Sequence, residues 1–207
     1  MTSIRPTIFH LLVGSNLIER YYWALRTFDE REINLRRDDI SSIHNAMFSQ
    51  ILLLTYGFMK EYDDKLKATD IETNQKILLL KNTAKPAATR IRKWNGLKDF
   101  RDNVLAHYFR NKGISIFLNG RYGTYNIPND INELHVMVRC VFFIQVGLKS
   151  IFTKECSEYE SIILSNLHNE SKNKISYDDA IKEAESIEKQ IFEKQQELEL
   201  ILKEQIK

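Results

Sequence analysis

The chain has 207 residues with only seven Gly and three Pro, roughly a third of the share that average usage would give. So few turn residues argue against a β-sandwich or a many-stranded barrel and for long helices, while 43% apolar and 28% charged residues suit a packed domain rather than a disordered chain. The net charge of +2 excludes little, but it is unevenly spread: Lys81 to Lys112 holds nine bases and two acids, a net of +7, and residues 176–207 carry −4.

Phe9, Leu12, Val13, Leu17, Tyr21 and Leu25 recur at helical spacing and predict a first helix from Thr7 to about Leu35. A second begins near Asp39 or Ser41, either of which suits the cap, and runs to about Leu66 on a stripe of Met47, Ile51, Leu54, Phe58 and Tyr62. Its uncharged stretch, Ile40 to Met59, carries Ser41, Ser42, His44, Asn45, Ser49, Gln50 and Thr55, a polar load that reads as a buried helix rather than a membrane span. His44 and Asn45 read as a buried polar pair. A third helix starts after Thr69, is kinked or split by Pro86, and stops at Asn95 and Gly96. A fourth covers about Leu97 to Asn111.

The segment ISIFLNGRYGTYNIP then changes character, and Asn119-Gly120 between β-formers signals a small hairpin. Pro128 and Asn129 open a very apolar helix to about Phe152, with Leu134, Val138, Val141, Phe142, Ile144, Val146 and Leu148, expected at the centre of a bundle. A short helix follows to Leu167. Residues 168–175 read as a linker, and 176–207 as a charged amphipathic helix on Ala184, Ile187, Ile191, Leu198 and Ile201. The expected class is thus all-α: a helical bundle over residues 1–167 with a hairpin insertion, a linker, and a long C-terminal helix.

Two cysteines, Cys140 and Cys156, make no disulfide scaffold and have no metal spacing. With an amino-terminal apolar run, Ile8 to Val13, too short for a signal peptide, they favour a cytoplasmic protein without a membrane segment. The glycines form neither GxxxxGK nor GxGxxG, and there is no GxSxG elbow. The histidines (His10, His44, His107, His135 and His168) lie far apart in sequence, none with a Cys, His or Glu at zinc spacing. No metal and no cofactor is expected.

One constellation remains. The fourth helix reads LKDFRDNVLAHYFRNK, with Arg101 and His107 separated by five residues and Asp102 and Asn103 directly after the arginine. All lie in the +7 segment, where Arg92, Lys93, Lys98 and Arg110 are candidate phosphate ligands. Trp94 offers either a base-stacking surface or, the preferred reading, an aromatic that closes a helix end.

The string RDNVLAH resembles the Arg-to-His signature of HEPN domains, in which about four to six residues intervene and a polar residue follows the Arg. It is most similar to the RD-x-x-x-AH motif of the abortive-infection HEPN family of U type, and the resemblance spans about Thr7 to Leu167. It implies a helical bundle that dimerises. It further implies a metal-independent endoribonuclease of toxin or antiphage type, with RNA as substrate, Arg101 and His107 as catalytic residues, and an antitoxin protein as a possible partner. Many such toxins carry a Tyr two places after the His. Here that position is Phe109, and Tyr108 stands one place earlier.

The chemistry can be argued separately. Cleaving RNA without a metal needs a base for the 2′-hydroxyl, an acid for the leaving oxygen, and positive charge on the phosphate. Histidine titrates in the right range, and arginine forks onto phosphate oxygens. On an ideal helix Arg101 and His107 stand about 120° apart and about 9 Å along the axis. One helix does not aim both at one phosphate, whereas a two-fold interface brings two copies of each together. Asn103, one turn before His107, is placed to orient the imidazole or touch RNA. Asp102 is placed to pair with Arg101 of the other protomer. The competing readings are a non-catalytic HEPN module that binds RNA, nucleotide or a protein, and a structural helical adaptor that works through the terminal helix; for His107 itself the alternative is a satisfied structural residue of its helix.

Overall fold

A computed structural model describes residues 4–30, 37–102 and 125–166, and beyond them residues 176, 178–179, 181–183, 185–187 and 189–190. The chain is predominantly helical, and no strand occurs among the described residues. Asn119 and Gly120 lie outside them. Tyr125–Pro128, the end of the expected hairpin segment, is bend and coil rather than strand.

The helices are α1 (Arg5–Glu30), α2 (Arg37–Lys60), α3 (Ile71–Thr83), α4 (Lys85–Arg92), the single turn α5 (Leu97–Phe100), α6 (Ile131–Ile151) and α7 (Thr153–Asn166). Contacts divide the chain into Met1–Ile162 and Ile163–Lys207. In the second unit the described residues from 178 to 190 are helical. Ser176 caps them, its Oγ accepting from the Asp179 N–H at 3.1 Å.

In the first unit α1 packs on both α2 and α6, and α6 packs on α3 and α4 as well. The buried face of α1 is Ile8, Leu11, Leu12, Ser15, Ile18, Tyr22 and Leu25. Of the expected stripe, Leu12 and Leu25 belong to this face and Phe9 and Tyr21 pack against the core. Val13 and Leu17 are exposed, lining instead an open groove beside Leu53, Leu54 and Gly57 of α2. A helix with apolar residues over such a wide arc admits two neighbours, and packing rather than periodicity selects the face that is covered.

α6 is long and apolar enough to cross a bilayer by length and composition. Its Leu134, Met137, Val138, Val141, Ile144 and Leu148 are nevertheless buried within this unit. Its buried Gln145 donates to Asn16 Oδ1 of α1 at 2.7 Å, so the one long polar side chain on that face is satisfied. Asp130 caps α6 through the Glu133 N–H at 2.8 Å, and Glu133 returns to the Asn129 N–H at 2.9 Å.

The expected third helix is two. It breaks at Ala84, and Pro86 falls in the first turn of α4, where its missing N–H has no intrahelical partner to lose. Asp70 caps α3, and the hydrogen bond from Thr73 holds its carboxyl below the usual carboxylate range. Arg5 pairs with Glu158, and Phe9 meets Tyr159 at 5.5 Å, tying the middle of α7 to the start of α1. His44 and Asn45 are half-buried rather than buried, the His44 ring stacking on Phe48 at 6.2 Å.

α2 ends in a wider turn, Glu61–Lys65, closed by the Leu66 N–H donating to the Glu61 carbonyl five residues back at 3.1 Å. Such turns are uncommon. This one buries both Tyr62 and Leu66 and presents Asp63 to Arg92 of α4. The Tyr62 side chain is 1% exposed and its hydroxyl has no hydrogen-bond partner among the described residues. Burial pushes its pKa up to about 12 from 10.0, against a smaller pull from Arg92. A raised folded pKa means that this contribution is whole below the unfolded value of 10.0 and is lost as pH climbs toward 12. Tyr62→Phe should therefore raise stability at neutral pH by up to about 1 kcal/mol, because no bonded hydroxyl is lost. It should also flatten the alkaline fall in Tm. A lower Tm at neutral pH would contradict this.

Candidate Arg-centred site at the start of the RDNVLAH segment

The turn from Lys93 to Gly96 links α4 to α5 and is clamped by the segment before α6. The Gly96 N–H donates to the Asn126 carbonyl at 3.0 Å, and Asn126 Nδ2 donates to the Lys93 carbonyl at 2.7 Å and to Asn95 Oδ1 at 2.8 Å. A Cβ at Gly96 would stand 2.6 Å from the Asn126 backbone nitrogen, so this close approach requires glycine. Leu97 and Phe100 are buried, and the Phe100 ring meets Tyr125 edge-on at 5.8 Å. α5 is thereby fixed against α2 and the Tyr125–Ile127 segment, and it delivers Arg101.

Arg101 is half-buried. Its guanidinium lies over the Tyr56 ring of α2, 4.8 Å from the centroid, a cation–π placement. Its Nε donates to Asp102 Oδ1 at 2.8 Å, and its Nη2 donates to the same oxygen. Within the chain, Asp102 thus holds its own neighbour. Two of the five guanidinium N–H groups are used, and the pair on Nη1 has no part in this bond. Arg101 and Asp102 continue α5 in a wider helical turn. Asn103, His107 and Arg110 lie outside the described residues.

The basic candidates divide. Arg92 forms a two-pronged pair with Asp63, Nη2 to Oδ1 at 2.6 Å and Nε to Oδ2 at 3.3 Å. This bonding raises the arginine's pKa further. The pair engages Nε and Nη2, the same two nitrogens that Arg101 gives to Asp102, and Nη1 has no part in it. An acid 29 positions upstream is not visible as a partner in sequence. Lys93 and Lys98 are exposed and make no ion pair among the described residues. Trp94 is buried, 4% exposed, with the Arg90 guanidinium 3.8 Å from its ring centroid. It closes the end of α4 and offers no face to a base.

Tyr56 is the residue that sequence reasoning missed. It occurs in an apolar stretch with nothing to relate it to an arginine 45 positions later. The buried thiols of Cys140 and Cys156 are both pushed up by burial, Cys156 to about 11, which disfavours thiolate chemistry at either. Among the described residues no group of three or more His, Cys, Asp and Glu is placed to hold a metal ion. In comparisons with known proteins, no family model, curated protein or solved structure matches the chain.

Proposed function

We propose that this protein is a HEPN-type, metal-independent endoribonuclease of the toxin or antiphage class. In this reading it acts in the cytoplasm as a homodimer, with an antitoxin protein as a possible partner. The observation that carries the reading is the placement of Arg101. A guanidinium at the start of RDNVLAH is held half-buried between Tyr56 and Asp102, with Nη1 outside the bond to Asp102, as a preorganised phosphate ligand should be.

In the proposed reaction His107 of one protomer takes the proton of an RNA 2′-hydroxyl. The oxygen attacks the adjacent phosphorus, and the bond to the 5′-oxygen breaks. His107 of the partner subunit protonates that oxygen. The products are a 2′,3′-cyclic phosphate and a 5′-hydroxyl. Arg101 stabilises the charge that builds on the non-bridging oxygens. The test is incubation of the purified protein with single-stranded RNA in EDTA, followed by end-group analysis. Cleavage leaving cyclic phosphate ends supports the reading, and RNA left whole across varied sequences overturns it. A non-catalytic RNA-binding module would give retention without cleavage.

RNA should be held mainly through phosphates, so log affinity should fall linearly with log salt, by about 0.7 in slope for each single-strand phosphate engaged. Replacing Lys93 and Lys98 together with Ala should lower that slope by about one to two and leave Tm unchanged, because neither side chain is buried and neither forms an ion pair among the described residues. Filter binding across a salt series measures it. Arg92→Ala should act differently, removing the partner of Asp63 and lowering stability by up to about 1 kcal/mol.

A further inference from the structure

Between α4 and α6 runs a groove of about 620 Å³, lined by Ala84, Pro86 and Ala87 on one side and Cys140, Phe143 and Val146 on the other, within the volume range of small-molecule sites. Phe143 and Val146 are 53% and 47% exposed, so the lining turns an apolar surface to solvent. The other hollows of this unit differ. The one along α1 and α2 ends at Glu61, and the one between α1 and α6 is walled by Tyr22 and His135, hydroxyl to Nδ1 at 2.7 Å.

The groove has two unlike ends. Thr83 and Ser150 stand at one of them, and Cys140 at the other. The Cys140 end is flanked by two guanidinium groups. Arg139 precedes Cys140 and comes one turn before Phe143, its guanidinium 5.1 Å from the Phe143 ring centroid and 4.8 Å from that of Phe142. Arg90 follows Pro86 and Ala87 by one turn of α4, half-buried, with its guanidinium 3.8 Å from the Trp94 centroid. Burial raises the pKa of the Cys140 thiol, and the charge of Arg90 pulls against it, which sets this second guanidinium beside the same end. Neither arginine forms an ion pair among the described residues. A guanidinium stacked on a ring keeps its N–H groups in its own plane, away from the ring face. At the opposite end Lys149, beside Ser150, already pairs with Glu160 at 3.1 Å.

No carboxylate lines the groove. The chain has no acid between Glu72 and Asp99, and none between Glu133 and Glu155, so both walls carry bases without acids. An apolar trough that is positive at one end complements a molecule that is apolar along its length and anionic at its head. We propose that this groove binds a free single-chain anionic amphiphile, a long-chain carboxylate, with its chain along Pro86, Ala87, Phe143 and Val146 and its head on Arg90 and Arg139. The chain leaves water for apolar side chains, and each guanidinium fork matches a carboxylate. The proposal does not rest on the ribonuclease reading, since none of its residues belongs to the Arg101 site.

The test is calorimetric titration of dodecanoate into the full chain, below the micelle concentration. Saturable uptake of one molecule per chain is expected, with a Tm that climbs as dodecanoate is added. Dodecanol, which keeps the chain and lacks the charge, should bind about tenfold or more weakly, and so should octanoate, which lacks four methylenes. Dodecyltrimethylammonium, with the head charge reversed, should not bind.

Arg139→Gln should weaken dodecanoate by about tenfold and bring it toward dodecanol. Val146→Glu, at an exposed position, should abolish uptake by setting a carboxylate in the trough. Lys60→Gln removes the same charge from an exposed site on α2 and should leave binding within about twofold of wild type, as should Arg101→Ala. The last variant separates failure of this groove from failure of the ribonuclease reading. Absence of uptake at millimolar dodecanoate overturns the proposal. So does binding indifferent to Arg139→Gln and Val146→Glu, or equal binding of dodecanol. Sedimentation with phosphatidylglycerol vesicles without uptake of free dodecanoate also overturns it, and assigns the surface to a bilayer instead.

Discussion

If His107 is the proposed proton-transfer group, His107→Ala is expected to lower RNA cleavage by about 10² to 10⁴ while dimerisation and thermal stability stay close to wild type. Arg101→Ala should lose a similar factor, by loss of charge stabilisation worth about 3 kcal/mol. The two differ in one respect. Arg101 also lies over Tyr56 and against Asp102, so its removal leaves a half-buried carboxylate without its cation. The double replacement Arg101→Ala with Asp102→Ala separates the effects: it should recover any stability that Arg101→Ala loses and recover no activity. Tyr56→Leu, which keeps the packing and removes the aromatic face, should reduce cleavage without lowering Tm appreciably. Single-turnover rates and melting curves on the four variants measure this. A His107→Ala protein that cleaves at the wild-type rate, or one that fails to fold, would assign His107 a structural role instead.

Gly96→Ala should be the most damaging single methyl in the first unit, at a cost of about 1–3 kcal/mol. The added carbon meets backbone atoms of Asn126 at 2.6, 3.0 and 3.1 Å, and backbone cannot step aside as a side-chain tip does. Relief requires moving the Tyr125–Ile127 segment away, which breaks the Gly96-to-Asn126 hydrogen bond and the bonds of the Asn126 amide to Lys93 and Asn95. Since that clamp sets where α5 begins, Arg101 should shift as well and cleavage should fall along with Tm. Gly57→Ala is the matched control. Its added carbon meets nothing within 4 Å on an exposed face of α2, so helix propensity alone operates, and the variant should gain about 0.5–1 kcal/mol. Thermal melts of the two proteins side by side check the contrast. Equal behaviour would mean that the close approach at Gly96 does not constrain the turn.

What sequence could and could not reveal follows from the range of the interactions. Helix positions were legible because periodicity is local: α2, α6 and α7 fall where the apolar spacing places them. The covered face of α1 was legible only in part: Leu12 and Leu25 are buried, but Val13 and Leu17 are as apolar as Ile8 and Ile18. The choice was made by α2 and α6, far away in the chain. Pro86 announced a break, but its tolerance in a first turn allowed the break to come earlier, at Ala84. In the site, the motif gave Arg101 and Asp102, adjacent and therefore visible. Tyr56, Asp63 as the partner of Arg92, and Asn126 against Gly96 each act across 29 or more residues, and no local pattern encodes them. The Tyr22–His135 bond spans 113. His107, on which the proposed chemistry turns, lies outside the described residues and was read from sequence alone.

The central claim is that an RNA 2′-hydroxyl, activated by His107 and attacking a phosphate held by Arg101, cuts the strand. The most direct measurement maps a cleavage position in an RNA substrate, then replaces the single nucleotide on its 5′ side with the 2′-deoxy form and repeats the reaction in EDTA. The account predicts that the all-ribose strand is still cut in EDTA with a cyclic phosphate at the new end, and that the substituted strand stays whole at that position. Cutting that persists at the deoxy nucleotide, or an RNA that the wild-type protein never cuts, would contradict it.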